Sequence, residues 1–131
     1  MISRPIALVV MMAAAHGRMA ADPELGRPFD LKPAEVVKLE GLQITFEGVS
    51  EDSRCPTGVQ CAWAGDAAAT FTLQKAPAAA IQRTLHTHGR FERQAECEGF
   101  VVRLDTIKPY PKQGATIAPD EYRATIVVTK R

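Results

Sequence analysis

The chain has 131 residues, with 16 Lys+Arg against 15 Asp+Glu, 46% hydrophobic and 6% aromatic residues, nine Gly and nine Pro. That length fits one ordinary domain and leaves no room for a second of normal size. A formal charge of +1 gives no general electrostatic attraction to nucleic acid or to an anionic membrane, and the ordinary apolar and charged fractions disfavour intrinsic disorder.

The first element is a leader. Arg4 is the only charge between Met1 and Ala15, and Ile6 to Ala15 is an unbroken apolar run of ten residues. At 1.5 Å per residue such a run reaches about 15 Å as a helix, roughly half a bilayer's hydrocarbon thickness, so it reads as the core of a signal peptide and not as a membrane span. Small residues at Ala15 and Gly17 place cleavage after residue 17, with Ala15 and Ala21 as alternative positions. No Cys follows the apolar run, so no lipid anchor is expected. Residues 18–131 are then a neutral, exported, secreted or periplasmic domain with 15 basic and 15 acidic residues.

That domain reads as strands. Short candidates lie at Phe29 to Leu31 and Val36 to Leu39, and Leu42 to Glu47 alternates apolar and polar residues with the period of a half-buried strand. Gly48 interrupts that alternation, as at a bulge or strand end. From Cys61 to Leu73 every odd position is apolar or Gly, which predicts a long strand with one inward face. Ile81 to Thr87 is a further short candidate, and Phe100 to Asp105 and Tyr122 to Thr129 alternate with good β-forming residues. Lys108 to Asp120, with three Pro and one Gly, must be a long irregular connection. No segment of the mature chain keeps a helical period for three turns. About seven short strands suggest an antiparallel β-sandwich, immunoglobulin-like with Greek-key connections; a closed β-barrel is the alternative.

Chemistry-bearing residues concentrate in Glu51 to Asp66. Cys55 and Cys61 are six apart, with Pro56, Thr57 and Gly58 able to fold the chain back between them. An exported disulfide is the expectation, and closing so short a loop contributes about 2 kcal/mol in the chain-entropy model; free thiols and a metal-bound pair are the other two states. Trp63, two residues past Cys61, reads either as a core residue packed on the disulfide or, with Arg54, as a partner contact on an exposed recognition edge. His86 and His88, on one face of a strand, could offer two imidazoles to copper or zinc, with Cys97 as a third ligand; no cofactor is expected otherwise. Cys97 lies between Glu96 and Glu98, whose carboxylates disfavour a reactive thiolate. It is left free, joins two molecules in a dimer, or pairs with Cys55 or Cys61.

The string Asp52-Ser53-Arg54-Cys55-Pro56, with Val59, Cys61, Trp63, Ala64 and Gly65, resembles the core motif of a family of small bacterial secreted proteins and lipoproteins. The Pro109-Tyr110-Pro111 loop and the closing strand Tyr122 to Thr129 extend the likeness over about Phe29 to Thr129. The resemblance implies an all-β fold and no particular activity. Two departures are the missing lipobox Cys and the added Cys97. With no Gly-x-Ser-x-Gly, phosphate loop or zinc-protease motif, the chain reads as no enzyme. The sequence therefore predicts a non-catalytic binding or inhibitor-like module whose partner, a protein or another ligand, the chain does not identify; the alternative is a periplasmic metal-binding protein using His86 and His88.

Overall fold

The computed structural model describes residues 23–131. The expected leader at residues 1–17 and its cleavage positions lie outside these described residues. Among the described residues eight strands run in chain order: β1 Phe29–Leu31, β2 Val36–Leu39, β3 Leu42–Asp52, β4 Ala67–Lys75, β5 Ile81–His86, β6 Gln94–Cys97, β7 Phe100–Lys108 and β8 Arg123–Lys130. They form two four-stranded antiparallel sheets, ordered β1-β8-β7-β6 and β2-β3-β4-β5. Their facing sides make one apolar core, so the architecture is a β-sandwich and not a closed barrel.

The alternation read from the sequence fills that core. Leu42, Ile44 and Phe46 of β3 and Phe71 and Leu73 of β4 are fully buried, with the rings of Phe46 and Phe71 stacked 5.3 Å apart. From the other sheet come Val102, Leu104, Ile126 and Val128. The interruption at Gly48 is a register shift between Phe46 and Gly48; another follows between Val49 and Glu51, and β3 runs on to Asp52 instead of ending near Glu47. In β7 a shift between Leu104 and Thr106 makes Asp105 the extra residue of a bulge.

Three expectations are corrected. The predicted strand from Cys61 begins only at Ala67, because the preceding residues form the return limb of the disulfide loop. β6 is an eighth strand that the sequence reading missed. Connectivity is also simpler than a Greek key: every hydrogen-bonded neighbour is consecutive in the chain except β1, which joins β8.

The two ends of the sandwich differ. At one end the turns are tight, with Glu40-Gly41 and Glu98-Gly99 both at positive φ, the geometry favoured for two-residue hairpins. The other end carries the longer connections 53–66, 87–93 and 109–122, and every residue singled out above except Cys97 lies there.

Candidate functional site

The site is built on the connection between β3 and β4. The chain leaves β3 at Asp52 and returns to β4 at Ala67, and the two limbs stay paired through Ser53 N–H to the Asp66 carbonyl (2.7 Å) and Cys55 N–H to the Ala64 carbonyl (2.9 Å). Cys55 and Cys61 form the expected disulfide across the tip. That tip packs on the connection before β8: Thr57 N–H donates to the Pro111 carbonyl (3.0 Å), and Gln113 N–H to the Thr57 carbonyl (3.1 Å).

Arg54 joins these segments from inside. It is only 7% exposed. Its Nε and Nη2 donate to the two Asp52 carboxylate oxygens, both at 2.8 Å. Nη1 donates to the Ile107 carbonyl (2.6 Å) and Nη2 also to the Pro109 carbonyl (3.0 Å). The Tyr122 hydroxyl completes the group by donating to Asp52 Oδ2 at 2.9 Å. A buried guanidinium with this many acceptors is a structural tie. The expected recognition edge therefore divides: Arg54 faces inward, and Trp63 faces out.

Trp63 is 47% exposed and so is not the core residue of the alternative reading. Its indole meets the His88 ring at 5.4 Å. Phe91, 41% exposed, lies 5.0 Å from His86 and 6.2 Å from His88. Tyr110, 50% exposed, lies over the Arg54 guanidinium at 5.3 Å. His88 and Tyr110 line an open pocket of about 250 Å³ together with Arg54, Gly65, Thr87, Asp105 and Thr106.

The two histidines are held differently. His86 ends β5, and its Nδ1 donates to Oδ2 of the buried Asp66 at 2.6 Å. Asp66 Oδ1 accepts the His88 N–H at 3.0 Å, fixing the turn after β5. His88 Nδ1 accepts the Arg90 N–H at 3.1 Å. Cys97 is not near them. It sits buried at the tight-turn end of β6, opposite Phe100, with a free thiol. Burial first, and then the Glu98 charge, raise its pKa above the ordinary value. The same position separates it from Cys55 and Cys61, which are bonded to each other, and its burial removes it from a disulfide between molecules in this fold. Among the described residues no group of three or more His, Cys, Asp or Glu converges on a common point.

Sequence reasoning missed Phe91, Tyr110 and Asp105 as members of this end, and Asp66 as the anchor of His86. Tyr110 is within reach of sequence, since Pro109-Tyr110-Pro111 reads as an exposed loop. The others depend on connections meeting in space.

The buried pair makes the site acid-sensitive. Burial alone would raise the Asp52 carboxyl, but the hydrogen bonds from Arg54 and Tyr122 outweigh it and hold its pKa below the ordinary 3.8. Asp30 behaves likewise: burial raises it, and the bonds from Lys108 and Thr125 bring it below 3.8. Burial, then the bond to Asp52, push the Tyr122 phenol up to about 12. Depressed carboxyls contribute stability that is complete above the ordinary 3.8 and disappears as pH falls through the folded values. The raised phenol contributes below its ordinary 10.0, and that part is lost as pH rises toward about 12. The urea midpoint should therefore fall steeply below about pH 4. Asp52→Asn should flatten that acid limb; an unchanged limb would remove Asp52 from the account.

The disulfide fits an oxidising compartment, and among the described residues no helix is long and apolar enough to cross a membrane. Comparison with protein-family models, with curated proteins and with solved structures gives no match.

Proposed function

We propose that this is an exported, non-catalytic binding module that engages a protein partner through the disulfide end of the sandwich. The observation that carries the reading is the gathering of Trp63, Phe91 and Tyr110 there, each between two-fifths and one-half exposed, on connections held by the buried Arg54 and Asp66. Exposed aromatic side chains on a pre-organised base bring large contact area with little ordering entropy left to lose on binding. The signal-peptide pattern and the oxidised loop support export. The lack of any nucleophile-base arrangement in the sequence supports a role without catalysis.

The test is capture from bacterial periplasmic and secreted extract on the oxidised mature chain, followed by affinity measurement with the captured protein purified. Trp63→Ala and Tyr110→Ala are each expected to weaken that affinity at least about tenfold while leaving the urea midpoint within about 0.5 kcal/mol of wild type. A captured partner that binds the folded double variant with unchanged Kd would refute the assignment of this surface.

A further inference from the structure

We propose that the pocket lined by His88 and Tyr110 receives a single cationic side chain, an Arg or Lys of the protein partner. The inference rests on the binding reading above and names the chemistry that the surface selects.

Size is the first argument. At ~30 Å³ of liquid volume per water, about 250 Å³ corresponds to roughly eight waters, below the usual range for a drug-sized ligand. One long side chain fills such a space; a folded segment does not enter it.

Charge is the second. Two charged side chains line the pocket, Arg54 and Asp105. Arg54 is already matched by the bidentate Asp52. The Asp105 carboxylate, by contrast, takes part in no salt bridge or side-chain hydrogen bond among the described residues. Arg93, from the connection before β6, spends Nη2 on the backbone carbonyls of Asp105 (3.1 Å) and Leu104 (3.4 Å) and not on the carboxylate. Asp105 is also the extra residue of the β7 bulge, a device that redirects a side chain out of the regular pleat. The pocket thus presents one unmatched negative charge.

The aromatic neighbours supply the third argument. The half-exposed Tyr110 borders the space, and the half-exposed Trp63 packs on its lining residue His88. Aromatic faces attract a cation and cover the methylene stem beneath it. A carboxylate lining the same pocket as an aromatic face suits a guanidinium or ammonium on an apolar stem, and it repels an acidic side chain.

Trp63 is the only Trp in the sequence, so intrinsic fluorescence reports directly on this corner. The probe is the capped tripeptide acetyl-Gly-Arg-Gly-amide, titrated at low salt into the oxidised mature chain. The control is the same tripeptide with neutral citrulline for Arg. A saturable Trp63 response is expected for the Arg tripeptide, at least about fivefold weaker for citrulline and for Asp105→Asn, and weaker as salt is raised. Asp105 is exposed, so its variant should keep the wild-type urea midpoint. Equal responses to Arg and citrulline, an unchanged response in Asp105→Asn, or saturation by methyl glucoside but not by the Arg tripeptide would each overturn the proposal. A captured protein partner that depends on Trp63 while none of the tripeptide effects occurs would sink the cation inference alone; loss of the Trp63 dependence would sink both readings.

Discussion

Replacing Gly65 by Ala is expected to cost the fold at least about 3 kcal/mol, one of the largest effects open to a single methyl group here. A Cβ at this position would lie 1.9 Å from the Ser53 carbonyl oxygen and 2.7 Å from the Arg54 Cα, all backbone atoms with no rotamer to yield. The residue also sits at φ +76°, where an L side chain adds about 1–2 kcal/mol of its own. Relief requires the two limbs of the loop to part. Parting them breaks the Ser53–Asp66 and Cys55–Ala64 pairing and pulls Arg54 from its acceptors. For a domain of this size the melting temperature should drop by about 12 °C or more, read by circular dichroism. Gly89→Ala serves as the contrast, since Gly89 has open space around it and no positive φ, and it should stay within about 0.5 kcal/mol of wild type. Similar losses at both positions would mean that the close approach at Gly65 is not what constrains the loop.

Arg54→Ala is the second large effect, at about 3–5 kcal/mol. Removing the guanidinium leaves Asp52 with Tyr122 as its remaining side-chain donor and strips the Ile107 and Pro109 carbonyls of their Arg54 bonds. Arg54→Lys should recover little, because one ammonium cannot span both carboxylate oxygens and two carbonyls at once. A double-mutant cycle with Asp52→Asn should return a coupling of roughly 1–3 kcal/mol, since each single change exposes the other partner's desolvation. Urea unfolding of the four proteins measures it. Amide exchange at Thr57 and Gln113, whose N–H groups pair the disulfide tip with the Pro111 segment, should accelerate in Arg54→Ala before the sheets open. A cost below about 1 kcal/mol would reduce Arg54 to an ornament of the loop.

How much of this was legible in the chain follows from how local each cause is. Leu42-Ile44-Phe46 and Phe100-Val102-Leu104 declare their strands because large β-forming residues repeat at period two, and each occupies the inward face as read. β6 has the same alternation, yet its inward residues are Ala95 and Cys97, too small for the pattern to stand out between Gln94 and Glu96. The alternation of Cys61, Trp63 and Gly65 misled in the opposite direction. Its period came from a disulfide tip and an obligatory left-handed glycine, and not from a pleat. The Cys55–Cys61 bond was readable because six residues and a turn contain its whole cause. The role of Arg54 was not, since its decisive acceptors lie 53 and 55 residues away. The pocket likewise needs β7 and the turn after β5 to meet, which no single window of sequence reveals.

The pairing of β1 with β8 has a consequence for how the domain is displayed. Phe29 lies opposite Ile126, and Gly26 N–H donates to the Val128 carbonyl at 2.8 Å, so both chain ends leave the sandwich side by side near its tight-turn end. The aromatic corner occupies the other pole. A tag, carrier or surface joined after Arg131 is therefore attached at the pole opposite Trp63 and Tyr110. A carboxy-terminal fusion keeps that outward pole free.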